Sequence, residues 1–341
     1  TKMKFCNPIL VVGFGSIGRR HTNNLLSITN SPITILSKRK NITKNDFINY
    51  NKNKKRIKIY SKIDKCLEEK PSVAFITNET SLHVNYALKL AKKKIDLFIE
   101  KPLSHSLKNI SSLNSIIKKN KQIVMIGCNF RFYPTIRKMK ELVDKKLIGK
   151  IISVQSENSS YLPDWHPNED YSKGYVSSKN LGGGVTLTQI HELDYLIWMF
   201  GYPKKMKAMV GKFSNLKVET DDLSVSLLEL QNKIIVELHL DYFSGPLYKR
   251  LKIRGSKGIL SWDSNNNEIR IYHHIKKKYS KIKIKNNYKL TENVNKMYID
   301  EIKYFISCLT KRKQPMNNLT ESAKTLRVAL DLKKSSGTKF C

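Results

Sequence analysis

The six residues Gly13-Phe14-Gly15-Ser16-Ile17-Gly18 follow an apolar run, Ile9–Val12, and precede a stretch of helical pattern. In that setting each glycine has its own task. Gly13 permits a tight turn, Gly15 lets a pyrophosphate approach the backbone, and Gly18 lets helix and strand pack closely. Ser16 and Ile17 then place N–H groups at the positive end of a helix, where phosphate is attracted. A glycine-rich turn with no ligand is the plainer alternative. The strand before it and the strand–helix signals after it favour dinucleotide binding.

A dinucleotide with a free ribose 2′-hydroxyl is usually met by Asp or Glu at the end of the second strand. Here Ser37-Lys38-Arg39-Lys40 occupies that place. A hydroxyl, a guanidinium and two ammoniums suit a 2′-phosphate. NADP is therefore the preferred cofactor and NAD the other, although in so Lys-rich a chain such a cluster also arises by chance.

Lys101, in Glu100-Lys101-Pro102-Leu103, directly follows a fifth apolar strand. An ammonium at that edge can hydrogen-bond a substrate hydroxyl and stabilise an alkoxide as hydride leaves. Pro102 suits a fixed turn, including a cis peptide. Further on, Gly182-Gly183-Gly184 opens a helix carrying Thr188, His191 and Asp194, spaced to share roughly one face. His191 has the chemistry of a general acid/base near neutral pH. Asp194 either orients it or faces a neighbouring cation. Lys101 and His191 are expected to meet at the reacting carbon. Taken singly, each is also an ordinary structural residue. The segment Tyr161-Leu162-Pro163-Asp164-Trp165-His166-Pro167, running on to Asp170-Tyr171, reads as a long irregular loop. Tyr161 and Trp165 suit stacking on a sugar face, and Asp164 or His166 suits bonding to hydroxyls. A packing or subunit-contact role is equally open.

The elements that must position these groups fall into two patterns. Up to about residue 128, strands and helices alternate: strands at Ile9–Val12, Ile33–Leu36, Arg56–Tyr60, Val73–Thr77, Ile95–Ile99 and Ile123–Ile126, with helices at Ser16–Ser27, Ser81–Lys93 and Ser106–Lys119. Nearly all-apolar strands signal a parallel sheet covered on both faces. The expected fold is an α/β Rossmann domain with a doubly wound sheet over residues 1–128. Residues 129–341 then form an α+β substrate-binding and oligomerisation domain. Its helix at Thr135–Lys145 and its seven strand signals between Ile151 and His274 imply an open, largely antiparallel sheet. One helix at Val185–Phe200 interrupts it, and Asn293–Leu309 and Leu319–Lys333 close the chain.

Length and composition bound the function. A chain of 341 residues, 40% apolar, supports two cores. No apolar run reaches the roughly 20 residues of a membrane span, so no membrane partner is expected. No signal peptide is evident, and the chain starts without Met. Cys6, Cys66, Cys128, Cys308 and Cys341 form no CxxC, which argues against a disulfide framework or a metal site and fits a reducing, cytoplasmic setting. The net charge of +35 is mostly Lys, scattered end to end among abundant Asn and Ile. It reads as compositional drift, with attraction of an anionic substrate second. No specific nucleic-acid binding is expected, because no recognition motif accompanies the charge.

Together the glycine turn, Glu100-Lys101-Pro102-Leu103, Gly127-Cys128-Asn129-Phe130-Arg131-Phe132 and the triglycine with His191 resemble one family in order and spacing, over roughly Pro8 to Gly201. It is the Gfo/Idh/MocA family of glucose–fructose oxidoreductase and inositol dehydrogenase relatives. The resemblance implies that Thr77, Asn78, Glu100 and Lys101 line the cofactor. It makes Lys101 and His191 catalytic, and sets Asn129 and Arg131 beside the substrate. Most relatives carry Asp where Thr188 stands, and a hydroxyl cannot serve as a carboxylate base. The helix form His191-Glu192-Leu193-Asp194-Tyr195-Leu196 resembles relatives of surface-polysaccharide sugar metabolism. The implied reaction is hydride transfer at a hydroxyl or keto carbon of a sugar or nucleotide-linked sugar. A catalytically silent dinucleotide-binding regulator and a redox-neutral, NAD-dependent glycoside-cleaving enzyme are the other readings. The family's open sheet face further implies a homodimer or homotetramer, with an apolar face on the strands from Leu223 to Leu240.

Overall fold

The computed structural model describes residues 2–165 and 167–335. His166, offered above for hydroxyl bonding, lies outside the described residues. The chain divides into two compact units. The first joins Thr1–Cys128 with Tyr298–Ala323, and the second joins Asn129–Met297 with Lys324–Cys341.

The first unit is built on six parallel strands, β1 (Ile9–Val12), β2 (Ile33–Leu36), β3 (Ile57–Tyr60), β4 (Val73–Ile76), β5 (Asp96–Glu100) and β6 (Val124–Gly127), in the order β3-β2-β1-β4-β5-β6. β1, β2, β4, β5 and β6 are buried along their whole length, which is why their sequences show no alternation. β3, at the sheet edge, is half-buried. The helices in this stretch are α1 (Ser16–Ile28), α2 (Tyr50–Asn53), α3 (Ile63–Glu68), α4 (His83–Lys92) and α5 (Ile110–Asn120). α2 and α3 were not anticipated: one and two turns are too short to show a helical period. The strand order reverses at β1, which pairs with β2 on one side and β4 on the other. Such a switch point leaves a crevice at the strand C-terminal ends.

The late segment completes this unit. Phe305 packs edge-on against Phe75 (5.8 Å between ring centroids) and Phe98 (5.6 Å). Asn317, between the last two described helices, bonds β6: its side-chain amide donates to the Ile126 carbonyl, and its own carbonyl accepts from the Ile126 N–H at 2.9 Å.

The second unit holds α6 (Pro134–Asp144), α7 (Val185–Thr188), α8 (His191–Phe200) and an eight-stranded sheet of order β14-β13-β12-β11-β7-β10-β9-β8. Its strands are β7 (Ile151–Tyr161), β8 (Pro203–Gly211), β9 (Leu223–Leu230), β10 (Ile235–Asp241), β11 (Phe243–Gly255), β12 (Gly258–Asp263), β13 (Ile269–His273) and β14 (Lys278–Ile282). Every pairing is antiparallel except β7 with β10. β14 escaped the sequence reading because Lys278-Tyr279-Ser280-Lys281-Ile282 has little apolar character; pairing with β13 supplies its order. The anticipated single helix over Val185–Phe200 is two, α7 and α8, broken at Gln189 and Ile190. The Gln189 amide donates to Ser160 Oγ and to the Asp241 carbonyl, both at 3.1 Å, drawing the break onto the sheet. Two further helices, α9 (Asn295–Lys311) and α10 (Leu319–Ser335), end the described chain. Among the described residues no helix is long and apolar enough to cross a membrane, and no cluster of His, Cys, Asp and Glu could hold a metal ion.

Candidate functional site

In the first unit the site is assembled at the C-terminal ends of β1, β4 and β5, three neighbouring strands. The turn after β1 is as tight as its glycines allow. Gly13 has φ of +94°, and a Cβ there would lie 2.9 Å from Asn78. A Cβ on Gly18 would lie 2.2 Å from the Gly13 carbonyl oxygen and 2.8 Å from Thr77 Oγ1. Thr77 fastens the same turn from the side, its hydroxyl donating to the carbonyls of Val12 and Gly13 at 3.0 Å. Gly15 differs: a Cβ built on it meets nothing within 4 Å. Packing therefore does not demand a glycine at this position. Ser16 and Ile17 begin α1, and Gly15 caps it without a side-chain bond. The first N–H groups of a 13-residue helix are therefore presented beside open space. Asn78 adds a buried amide whose Oδ1 and Nδ2 have no partner among the described residues. A phosphate-bearing, amide-bearing dinucleotide fits both features.

β2 leads directly into Ser37-Lys38-Arg39. The Ser37 hydroxyl accepts the Arg39 N–H at 3.1 Å, and Lys38 and Arg39 are exposed. The sequence reading passed over Asp46, which follows this corner in the chain. It is buried, accepts the Thr43 N–H at 2.8 Å and the Arg19 guanidinium at 2.9 Å, and its carboxyl is held below the usual range chiefly by that Thr43 bond. Asp46 therefore serves the loop and Arg19.

β5 delivers Glu100 and Lys101. Lys101–Pro102 is a cis peptide. Glu100 is buried; its Oε1 lies 2.6 Å from His21 Nε2 and its Oε2 accepts the Lys101 N–H at 3.1 Å. Its carboxyl sits below its ordinary value despite burial, because His21 and Lys101 favour the charged form. The ring of His83 sits 2.9 Å from both the Pro102 and the Asn78 carbonyls, and burial pushes its proton affinity down.

In the second unit a separate constellation forms around the start of α8. His191 is its first residue, half-buried, with its ring 4.9 Å from that of Phe130. Asn129 and Arg131 flank Phe130 in a short 3-10 turn and are buried. The Oδ1 atom of Asn129 has no partner among the described residues. Arg131 is gripped by Asp194, Nε to Oδ2 and Nη2 to Oδ1, each at 2.7 Å, and its guanidinium lies over Trp198 at 5.5 Å. Of the two tasks the sequence left open for Asp194, the structure shows the pairing with a cation. Thr188 ends α7, buried beside the hydroxyl of Tyr242, whose phenol burial pushes well up. Trp165 meets the Tyr242 ring edge-on at 5.5 Å, and Tyr161 is the exposed last residue of β7.

The sequence reading missed Lys249 and Glu192. Glu192 is fully buried, accepting Lys249 Nζ at 2.5 Å and Asn158 Nδ2 at 3.0 Å, and Lys249 Nζ lies 4.6 Å from the centre of the Phe130 ring. Phe130 thus has an ammonium on one contact and the His191 ring on another. The signal was present: Lys249 shares its inward phase on β11 with Leu251 and Ile253. His21 was missed likewise, though it lies on α1 within the buried set Gly18, Thr22 and Leu25.

Comparison with known proteins bears on both units. A family model described as an oxidoreductase family with a NAD-binding Rossmann fold matches residues 8–128, and a GFO/IDH/MocA C-terminal domain model matches residues 136–261. Over 194 residues the chain is 28% identical to myo-inositol 2-dehydrogenase of Thermotoga maritima, a match that takes in 56% of this chain and 54% of that protein. The chain thus spans about half the length of that curated relative. Among solved structures, levoglucosan dehydrogenase in complex with NADH aligns with a TM-score of 0.84 at 13% identity, covering 97% of both chains. UDP-N-acetylglucosamine 3-dehydrogenase from Acidithiobacillus ferrooxidans aligns with a TM-score of 0.77 at 17% identity, covering 97% of this chain and 98% of that one.

Proposed function

Because the chain belongs to the Gfo/Idh/MocA oxidoreductase family, we propose that it moves a hydride between a nicotinamide dinucleotide and a hydroxyl-bearing carbon of a sugar or nucleotide-linked sugar. One observation carries the reading. The open glycine turn, the unpartnered Asn78 amide and Lys101 converge on the C-terminal ends of three adjacent strands, β1, β4 and β5. The dinucleotide, when bound, takes up or gives the hydride. Gly13 to Gly18 hold its pyrophosphate, and Thr77 and Asn78 line it. Lys101 steadies the substrate oxygen as its charge grows. His191 takes or returns the hydroxyl proton. Asn129, Tyr161, Trp165 and Thr188 shape the substrate's surroundings, and Arg131 supports them through its pair with Asp194.

NADP(H) is the preferred cofactor in this reading, supported by exposed Lys38 and Arg39, the absence of an acid at the β2 end, and the engagement of Asp46 by Arg19. A sugar substrate is supported by the names of the relatives, which act on a polyol, an anhydrosugar and a nucleotide sugar. The test combines fluorescence titration of both cofactors with a panel of sugars and nucleotide sugars followed by nicotinamide absorbance and by product analysis. Tighter NADPH than NADH binding, weakened by Arg39→Ala, and a substrate-dependent absorbance change are expected. Equal affinities overturn the cofactor preference. Product without net absorbance change turns the assignment to redox-neutral cleavage, and cofactor binding without any product turns it to a regulator.

A further inference from the structure

At the C-terminal end of β5, Glu100 also makes a buried contact with His21 on α1. His21 is fully buried on the second turn of α1, among Phe98 (5.1 Å between ring centroids), Phe75 (5.7 Å) and Tyr298 (5.9 Å). Its Nε2 meets Glu100 Oε1 at 2.6 Å, and its Nδ1 is buried without a partner among the described residues. A single proton on Nε2 satisfies this geometry. A second proton, on Nδ1, would be a buried N–H with no acceptor. His21 Nε2 and the Lys101 backbone N–H thus meet the two oxygens of Glu100, one each. A carboxylate so far from water persists only when such donors and a cation hold it.

We propose that His21 is a positioning residue for Lys101: it locks the Glu100 carboxylate so that the carboxylate fixes the Lys101 backbone and stands as the counter-charge of its ammonium. Lys101's part in hydride transfer rests on the function proposed above; the charge relationship does not. The device links α1, whose first turn faces the dinucleotide, to the lysine through two hydrogen bonds. The other titratable groups turned toward Glu100 are few. His83 faces it, held between the Asn78 and Pro102 carbonyls, and so does Tyr298, whose phenol is raised by burial and by the Glu100 charge. Arg20 lies over the Tyr298 ring at 4.7 Å, and Glu301 bears on the same phenol.

The experiment uses the full chain with its lysines reductively methylated with ¹³C, the Lys101 resonance assigned by its absence in Lys101→Arg, and the signal titrated with pH. In Glu100→Gln the Lys101 ammonium should lose roughly tenfold or more in proton affinity, one to three pKa units, as expected for removal of a neighbouring opposite charge. In His21→Leu the resonance should shift and broaden at neutral pH, while His21→Gln, which keeps a donor, should restore it. A Lys101 titration unchanged in folded Glu100→Gln overturns the proposal. So does a Lys101 resonance in folded His21→Leu that matches the parent. Should His21→Leu fail to fold, Glu100→Gln still decides, and His21→Ala, read in the same way, replaces His21→Leu. NADH and NADPH titrations of the parent, run alongside, judge the cofactor reading separately, since the lysine titration needs no cofactor.

Discussion

Arg131 and Asp194 face each other fork to fork, both buried, with two parallel bonds of 2.7 Å. Such a pair contributes little over an apolar replacement, yet removing one member leaves an uncompensated charge in the interior. Asp194→Ala is therefore expected to cost about 3–5 kcal/mol, and Arg131→Met paired with Asp194→Leu much less. Urea unfolding followed by circular dichroism checks this. A loss under about 1 kcal/mol for Asp194→Ala would show that the pair is solvated in practice.

The glycine turn separates packing from ligand binding. Gly18→Ala drives a methyl into the Gly13 carbonyl and should destabilise the fold and abolish dinucleotide binding together. Gly15→Ala meets nothing, and its backbone, with φ of −75°, suits alanine. Its melting temperature should match the parent within a degree or two while NADPH affinity falls at least about tenfold, the methyl occupying the phosphate's approach. Undiminished affinity in Gly15→Ala would mean that phosphate does not come to this backbone.

For catalysis, Lys101→Ala and His191→Ala should each lower kcat by about two orders of magnitude or more with cofactor affinity nearly intact. Thr188→Ala should cost less, since a hydroxyl does not take a proton at neutral pH. Steady-state kinetics on the substrate found by the panel decides; near-normal turnover in His191→Ala would pass the proton's route to Lys101 or Tyr161.

Partly exposed His239 meets buried Asp241 at 2.8 Å on β10, and the Asp241 bond raises the imidazole above its ordinary 6.5. A raised folded value means stabilisation that is complete below 6.5 and lost as pH rises through the folded value. The urea midpoint of the parent should accordingly fall across the neutral range relative to that of His239→Asn. Parallel pH curves for the two proteins would refute it.

The open face of the second sheet carries Met209, Val225, Leu227 and Ile235, all exposed and set side by side on β8, β9 and β10, with Met209 opposite Val225. An apolar patch of this kind is a liability for a lone chain. Self-association through it is expected, and Leu227→Glu should shift the mass seen by light scattering to that of one chain. A parent that is already monomeric at micromolar concentration would contradict this.

What was legible in the sequence follows from burial. β1, β2, β4, β5 and β6 were readable within a residue or two because strands buried on both faces must be apolar throughout. The glycine turn was legible because two of its glycines are forced by contact, Gly13 by Asn78 and Gly18 by the Gly13 carbonyl. What stayed hidden depends on pairs distant in the chain. Nothing local to Glu100 announces His21, and nothing local to Glu192 announces Lys249. Each buried charge is explained only by a partner that the fold brings to it.

The grouping of Tyr298–Ala323 with the first unit sets an order of events during synthesis. When Cys128 leaves the ribosome, the sheet strands are complete, but Phe75 and Phe98 lack the Phe305 ring that packs on them, and β6 lacks its bonds to Asn317. The whole of the second unit's sheet is translated before those partners arrive. A fragment cut at residue 128 would thus carry every residue proposed to hold the dinucleotide and still present bare aromatic surface to water. The stretch from Tyr298 to Ala323 is, in effect, the closing stitch of the first domain the ribosome makes.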